Sequence, residues 1–258
     1  TVGLVPTMGA LHAGHLSLVS RAVSENSATV VSVFVNPTQF NDAKDLKRYP
    51  RNLEADMELL RPTGCQIVFA PEVEEIYPEP DTRKFDFGEL EKIMEGKHRP
   101  GHFNGVGQIV SKLFDIVNPD KAYFGLKDFQ QLAVIKKLVK LMESPVEIVP
   151  CPIIREKNGL AMSSRNELLP KEARENAGLI FKTLTEAKNL TARKSVEELK
   201  QWVKETINKN HWLNVEYFEV VDVEHLRPVK SWEVKSKKVG CIAVYAGHIR
   251  LIDNIVLN

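Results

Sequence analysis

Two histidines three positions apart stand where a predicted strand gives way to a predicted helix. His12 and His15 lie in the sequence His-Ala-Gly-His, which follows the apolar stretch at residues 2–5. Side chains three residues apart share one face of a helical turn, and a helix N-terminus attracts anions through its unpaired N–H groups and its dipole. Gly14 lets a ligand approach the backbone there. The pattern favours phosphate binding, with a capping or core histidine and a zinc pair as alternatives.

The other metal-binding residue types do not support zinc. A zinc site needs further cysteine, histidine or carboxylate ligands, and the sequence contains neither an HExxH motif nor a cysteine cluster. Its three cysteines, Cys65, Cys151 and Cys241, are scattered and odd in number. This arrangement is typical of buried thiols in a reducing compartment rather than of a disulfide framework.

Further candidate phosphate ligands occur in two other short segments. Met162-Ser163-Ser164-Arg165 offers two hydroxyls and a guanidinium, which can bind phosphate oxygens. Lys127 and Asp128 follow the apolar stretch at residues 122–124. Each has a plainer interpretation, because serine and aspartate often cap helices and a lysine at a strand end is usually solvated.

Two glutamines and one loop complete the polar candidates. Gln39 and Gln131 carry amides that can bind a hydroxyl or a carboxylate, or can merely satisfy backbone groups. The segment His98-Arg99-Pro100-Gly101-His102-Phe103 is rich in hydrogen-bond donors and is predicted to be a loop, either a lid or a hydrated connection.

The scaffold for these residues is predicted to be an α/β sheet. Short apolar stretches in the first 155 residues predict strands at residues 2–5, 29–35, 67–70, 122–124 and 146–149. Near-continuous apolar strands are typical of a parallel sheet covered on both faces, and their alternation with helices predicts a doubly wound, Rossmann-like fold. Ligands bind such sheets at the carboxyl ends of the strands, where the candidate residues lie.

Apolar stripes at three- to four-residue spacing predict the helices between these strands. The stripes are Leu16, Val19 and Val23; Leu53, Met57 and Leu60; Ile109, Leu113, Ile116 and Val117; and Leu132, Ile135, Leu138, Val139 and Met142.

The pattern changes after residue 155. Asn158-Gly159 predicts a tight turn, and helical patterns cover residues 170–190 and 196–208, the second opened by a capping box of Ser195 and Glu198. Alternating segments near residues 215–221, 239–246 and 249–257 predict antiparallel strands. We therefore expect two domains, a Rossmann-like one over residues 1–155 and a smaller α+β one over 156–258.

Composition narrows the class of protein. The 258 residues are 43% hydrophobic and carry a net charge of +1, which is ordinary globular composition. The apolar runs are shorter than the ~20 residues of a membrane-spanning helix. The balanced charge argues against general nucleic-acid binding but allows a local phosphate site. Because the sequence starts at Thr1, without a methionine, the lack of a targeting segment carries little weight.

Six motifs in one order resemble the pantoate–β-alanine ligase (AMP-forming) family, also called pantothenate synthetases. They are PTMGALHAGH, VFVNPTQF, DLKRYPR, RPGHFNGV, YFGLKDFQQL and GLAMSSRN, and the resemblance continues to the closing LIDN. It covers essentially the whole chain.

The resemblance implies membership of the nucleotidylyl-transferase superfamily, with its HxGH signature. It implies that ATP and pantoate form pantoyl adenylate and pyrophosphate with Mg²⁺, and that β-alanine then attacks the acyl carbon to give pantothenate and AMP for coenzyme A synthesis. It also implies a cytoplasmic homodimer whose second domain covers the ATP site.

Site residues carried over from the family fall into three groups. His15 would be the proton donor and His12 its phosphate-binding companion, while Lys127, Ser163, Ser164 and Arg165 would bind phosphates. Gln39 and Gln131 would bind pantoate, and Gln39 also β-alanine. The ATP site as a whole would comprise Met8, Gly9, Ala10, Leu11, His12, Ala13, Gly14, His15, Gly125, Leu126, Lys127, Asp128, Ile154, Met162, Ser163, Ser164 and Arg165. No metal ligand is assigned.

Two positions depart from the family pattern. Leu126 stands where an acidic residue or glutamine is usual, and Asn158 where aspartate is common. Two other functions stay open: a nucleotidylyltransferase that stops at the adenylate or serves another acid, and a non-catalytic nucleotide-binding module on the same fold. Product analysis distinguishes these from the ligase, because only the ligase yields an amide.

Overall fold

The computed structural model describes residues 1–257, which form two compact units. The first comprises Thr1–Leu126 and Gln130–Pro152, and the second comprises Lys127–Phe129 and the chain from Ile153 onward. The predicted domain boundary after Arg155 lies just beyond this division. Among the described helices, none is long and apolar enough to cross a membrane.

The first unit is built on a five-stranded sheet. Its strands are β1 (Val2–Thr7), β2 (Ala28–Val33), β3 (Ile67–Phe69), β4 (Lys121–Gly125) and β5 (Glu147–Cys151). They are arranged in the order β3-β2-β1-β4-β5 and every pairing is parallel. The strand order reverses at β1, so the loops after β1, β2 and β4 emerge side by side at one edge, the usual place for a ligand. The predicted doubly wound sheet is confirmed.

In the described part of the chain, seven α-helices connect these strands: α1 (Ala13–Glu25), α2 (Ala43–Arg48), α3 (Leu53–Leu60), α4 (Val73–Ile76), α5 (Met94–His98), α6 (His102–Val117) and α7 (Phe129–Leu141). The four predicted apolar stripes correspond to α1, α3, α6 and α7. The short helices α2, α4 and α5 were not predicted, because a helix of four to six residues has too few turns to show a periodic stripe.

Adjacent residues of β1 show why both faces of the sheet must be covered. Leu4 and Val5 are both fully buried, but Leu4 packs in a core with α6 and α7 while Val5 packs in a second core with α1. Side chains alternate along a strand, so an uninterrupted apolar strand needs a layer on each side. Two predicted stripe positions are wrong: Leu53, at the start of α3, is 47% exposed, and Ile116, at the end of α6, is 54% exposed.

The second unit combines an antiparallel sheet with two helices. The sheet order is β6 (Leu213–Asp222), β7 (Lys238–Ala246) and β8 (Ile249–Val256), and α8 (Lys171–Leu190) and α9 (Val196–Asn208) complete its core. The capping box at the start of α9 is present as predicted. Asn158-Gly159 forms a reversal, since Gly159 has φ +92° and Arg155 bridges Ala161. These results confirm the predicted α+β arrangement.

Candidate active site

The loop after β1 ends in a helix cap made by the two histidines. His12 is the N-cap of α1, and its Nδ1 accepts a hydrogen bond from the Gly14 N–H at 3.1 Å. His15 Nδ1 in turn accepts from the His12 N–H at 3.4 Å, which closes a reciprocal capping box. The ring centroids lie 4.0 Å apart. Histidines therefore do here what serine and glutamate do in the common capping box, and the capping interpretation is confirmed.

This cap also fixes the tautomer of both rings. A nitrogen that accepts a hydrogen bond carries no proton, so in the neutral state each ring has its proton on Nε2. The Nε2–H group is thus the donor that each histidine offers. A histidine can both cap the helix and bind phosphate, because the cap uses only the Nδ1 atom of each ring.

A buried carboxylate that the sequence did not single out holds the same loop. Asp56 of α3 is 2% exposed and accepts hydrogen bonds from the Ala10 N–H at 3.0 Å and the Leu11 N–H at 2.7 Å. Ala10 has φ +49°, which an L-residue adopts reluctantly. At Gly9, a Cβ would lie 2.9 Å from the Asp56 carboxylate. Asp56 therefore sets the backbone path into the histidine cap.

The loop after β2 brings Gln39 to the loop after β1. Gln39 Nε2 lies 3.0 Å from Met8 Sδ, and Gln39 Oε1 accepts from Asn36 Nδ2 at 3.2 Å. Asn36 is 1% exposed and also donates to the Gly105 carbonyl on α6 at 3.0 Å. A Cβ at Gly105 would lie 2.4 Å from the Thr38 carbonyl oxygen, so only glycine permits this close packing. Two predicted site residues, Met8 and Gln39, are thus in contact.

The predicted loop at residues 98–103 is shorter in the structure, where it covers only residues 99–101. His98 ends α5 and His102 begins α6, and His102 is 5% exposed. The Arg99 guanidinium lies 3.1 Å from His102 Nε2, and because arginine can only donate, Nε2 is the acceptor. The proton of the neutral His102 ring is therefore on Nδ1, which donates to the Gln39 carbonyl oxygen at 2.8 Å. The many hydrogen-bond donors in this segment correctly indicated polar contacts. The helix ends on either side were not predicted, because Pro100 and Gly101 are typical of loops.

The remaining candidates of the first unit surround the end of β4. Gly125 is the last residue of β4, and a Cβ there would have no atom within 4 Å, so the backbone is approachable. Leu126 donates its N–H to the Cys151 carbonyl at 2.8 Å and packs its side chain against the core. This explains how an apolar residue is accommodated at that position. Gln131 is half-buried in the first turn of α7.

In the second unit, Lys127 lies among charged groups. Desolvation lowers the pKa of its ammonium, the carboxylates of Asp128 and Asp253 oppose this, and the Arg165 guanidinium lowers the pKa further. The Lys127 carbonyl accepts a hydrogen bond from Asn254 Nδ2 at 3.0 Å. A desolvated cation close to a second cation is an environment that an anion would stabilise.

The serine-arginine segment forms a tight turn. Ser163 caps the short 3-10 helix at Ser164–Leu168, with its Oγ accepting from the Arg165 N–H at 3.3 Å, so the capping interpretation is confirmed here too. Ser164 is 6% exposed. The Met162 N–H donates to the Ile154 carbonyl at 3.0 Å, which joins two predicted ATP-site residues.

An unpredicted polar cluster supports that turn. Asn166 is 1% exposed, and its Nδ2 donates to Glu156 Oε1 at 2.7 Å and to the Ala161 carbonyl at 3.1 Å. Glu156 also pairs with Arg174 of α8, 3.0 Å away. The carboxylate of Glu156 thus connects the turn to a helix in the core of its own unit.

Comparison with known proteins adds an independent line of evidence. A family model described as pantoate-β-alanine ligase matches residues 1–256. A pantothenate synthetase from Bacteroides thetaiotaomicron is 59% identical over 254 residues, which are 98% of this chain and 90% of that protein. One from Porphyromonas gingivalis is 58% identical over 255 residues, which are 99% of this chain and 91% of that protein.

Solved structures agree with the sequence comparisons. A pantothenate synthetase from Thermus thermophilus matches with a TM-score of 0.93 at 43% identity, covering 99% of this chain and 93% of that one. A pantoate-β-alanine ligase from Francisella tularensis, complexed with β-γ ATP and β-alanine, matches with a TM-score of 0.83 at 36% identity, covering 99% and 89%. With the family model spanning nearly every residue and relatives this similar along the full chain, the protein belongs to the pantoate–β-alanine ligase family.

Proposed function

We propose that this protein condenses pantoate with β-alanine, using ATP, to give pantothenate, AMP and pyrophosphate through pantoyl adenylate. A carboxylate is a poor electrophile, and transfer of AMP to it creates a leaving group. Catalysis then depends on holding the carboxylate in line with the α-phosphorus and on donors and cations around the developing charge. The observation that carries the proposal is the histidine cap of α1 in a chain that matches the ligase family over residues 1–256.

His15 and His12 act on the phosphates in this proposal. Both rings carry the neutral-state proton on Nε2, because Nδ1 accepts a backbone hydrogen bond. An Nε2–H at a helix N-terminus can donate to a phosphate oxygen as negative charge grows there. His15 is the proposed proton donor, and the stretch from Met8 to His15 lines the proposed ATP site.

Gln39 and Gln131 hold pantoate in this proposal, with Gln39 also near β-alanine. The contact of Gln39 with Met8 supports a shared position beside the proposed ATP loop. The relative from Francisella tularensis, complexed with β-γ ATP and β-alanine, supports ATP and β-alanine as substrates of this chain.

The second unit supplies cations and hydroxyls for the phosphates. Lys127, Ser163, Ser164 and Arg165 are the proposed ligands, and the lowered pKa of Lys127 supports an anionic ligand beside it. Gly125, Leu126, Asp128, Ile154 and Met162 complete the proposed ATP site. The role of this unit as a cover of the ATP site, the homodimer and the cytoplasmic location all stay predictions.

We also propose that Mg²⁺ accompanies the triphosphate. Within residues 1–257 no three or more histidine, cysteine or carboxylate side chains are grouped so that they could hold a metal ion. Mg²⁺ at nucleotide sites is held largely by phosphate oxygens and water. The donor set of the chain therefore fits a metal that arrives with ATP, where it would neutralise phosphate charge.

The decisive experiment supplies ATP, pantoate and β-alanine to the purified protein and measures pantothenate and AMP by mass spectrometry. We expect both products with all three substrates, and pyrophosphate in an amount stoichiometric with enzyme when β-alanine is left out. Pyrophosphate release with no amide product would instead support an adenylate-forming transferase. ATP binding without pyrophosphate release, for pantoate and other acids alike, would support a non-catalytic nucleotide-binding protein.

A further inference from the structure

Two adjacent residues of β8 bind Lys127 and the residue that begins the reversal leading to the serine-arginine turn. Asn254 Nδ2 donates to the Lys127 carbonyl at 3.0 Å. The Asp253 carboxylate accepts hydrogen bonds from both terminal guanidinium nitrogens of Arg155, at 2.6 and 2.9 Å. Asp253 is 5% and Asn254 is 7% exposed. They are the Asp-Asn of the LIDN motif, to which the reaction chemistry assigns no role.

Strand geometry lets the two neighbours reach different segments. Successive side chains of a strand point to opposite faces of its sheet. Asp253 shares a face with Leu251, which lies in the core of this unit, and its partner Arg155 lies over the Phe181 ring of α8 at 3.6 Å. Asn254 is on the other face, where it meets Lys127. Asp253 Oδ1 also accepts the Asn254 N–H at 2.8 Å, which fixes the backbone between them.

Arg155 in turn begins the reversal that leads to the serine-arginine turn. It bridges Ala161, and its guanidinium donates to the Gly159 carbonyl at 3.1 Å. The end of β8 is therefore hydrogen-bonded to Lys127 and, through Arg155, to the reversal that precedes Ser163. The Arg165 guanidinium is close enough to Lys127 to lower the pKa of its ammonium, so the two segments converge.

We propose that Asn254 is a positioning residue for the triphosphate of ATP, acting through Lys127. Its amide fixes the backbone from which the Lys127 side chain projects, and Asp253 holds the strand end and Arg155 in the same frame. This inference rests on the proposed function, because it assigns Asn254 to the phosphate ligands of that site. In this proposal Asn254 acts on the triphosphate through the Lys127 backbone that it binds.

The test is a double-mutant cycle on ATP binding, measured by isothermal titration calorimetry with MgATP and no other substrate. We expect Asn254→Ala to weaken ATP binding about tenfold, the equivalent of one hydrogen bond. In a Lys127→Ala background the same change should have no further effect, because there is no ammonium left to position. The KM for β-alanine should stay unchanged. Asn214→Ala, an exposed asparagine of β6, is the matched control and should bind ATP like the parent protein.

Two results would overturn the inference: Asn254→Ala binding ATP as tightly as the parent, or weakening it equally with and without the Lys127 side chain. If circular dichroism shows that the alanine variant does not fold, Asn254→Asp keeps the shape, replaces the donor by an acceptor and should show the same loss. Failure of the proposed function has a different signature, namely a parent protein that binds MgATP but makes no pantothenate.

Discussion

Asp56 and Leu11, 45 positions apart in the chain, are joined by a 2.7 Å hydrogen bond from a backbone N–H to a buried carboxylate. The second carboxylate oxygen accepts the N–H of Ala10 at 3.0 Å. Helix α3 thereby sets the conformation of the loop that presents His12. A residue outside every motif of the reaction chemistry is thus bonded directly to the proposed ATP loop.

The first prediction concerns this carboxylate. Asp56→Asn replaces one of its two acceptor oxygens by an N–H₂ group, which then faces a backbone N–H in a buried site. An unsatisfied buried group lowers stability by about 1–3 kcal/mol, so the urea midpoint should fall. Because the loop loses its anchor, we also expect the KM for ATP to rise.

Glu54→Gln is the control for Asp56→Asn. Glu54 is an exposed carboxylate in the first turn of the same helix, α3. Its replacement should change stability by no more than about 0.5 kcal/mol in urea unfolding and should leave the KM for ATP unchanged. An Asp56→Asn variant that matches this control in both measurements would show that the loop keeps its conformation without the carboxylate.

The second prediction separates the two roles of His15, as a helix cap and as the proposed proton donor. Asparagine places an acceptor near the position of Nδ1 and has no group at Nε2, whereas alanine has neither. His15→Ala should therefore lose part of the helix cap, about 1 kcal/mol of stability, and about 10²–10³ in kcat through the lost donor. His15→Asn should recover the stability and not the rate.

Thermal melts and single-turnover adenylate formation measure these two effects independently. A rate that recovers together with stability in His15→Asn would mean that His15 acts only as a cap. A parental rate in His15→Ala would exclude it as the proton donor.

The extent to which sequence predicted this molecule differs between its elements. The strands of the first unit and the long helices were predicted because continuous apolar runs, as at Leu4 and Val5, and period-3.6 apolar patterns are local. The motif residues His12, His15 and Gln39 were singled out because their residue types carry chemistry, and their roles stay predictions. Strand β2 ends at Val33 rather than at Val35, since Asn36 leaves the sheet to bind Gly105.

The supporting residues could not be predicted in the same way. Asp56 and Asn254 are single polar residues in a helix and a strand, and their partners lie 45 and 127 positions away in the chain. Nothing in their local pattern distinguishes them from solvated side chains. Their role follows only from burial, which depends on tertiary packing that spacing does not encode.

The third prediction tests substrate assignment at Gln39. Gln39→Leu removes the amide while keeping much of the side-chain volume, and the backbone carbonyl that meets His102 is unaffected. We expect the KM for pantoate to rise about tenfold or more, since one or two hydrogen bonds are lost. Steady-state kinetics with each substrate varied in turn should show little change for ATP.

A control for this change is Gln201→Leu on the exposed face of α9. It should leave all three KM values unchanged. If Gln39→Leu raised the KM for ATP as strongly as that for pantoate, the residue would belong to the nucleotide site instead.

The last prediction concerns pH and Lys127. Desolvation is the main cause that lowers the pKa of Lys127 in the folded protein. The Asp128 carboxylate raises this pKa, the Arg165 guanidinium lowers it further, and the Asp253 carboxylate raises it. In the interval between that lowered pKa and the ordinary lysine value of 10.5, the unfolded chain binds more protons, so stability rises with pH there. Below the interval the desolvated charge destabilises the fold. Lys127→Met should therefore raise Tm at neutral pH while it weakens MgATP binding, the usual opposition between stability and function.

Ligand binding should act on the same proton. A triphosphate stabilises the charged ammonium and raises its pKa, so MgATP binding should take up a proton within the interval and weaken as pH rises through it. Calorimetry in two buffers of different ionisation enthalpy measures this uptake. Lys136→Met, an exposed lysine of α7, should leave Tm, affinity and proton uptake unchanged. Proton uptake that persists in Lys127→Met would assign the titration to another group and would remove Lys127 from the phosphate site.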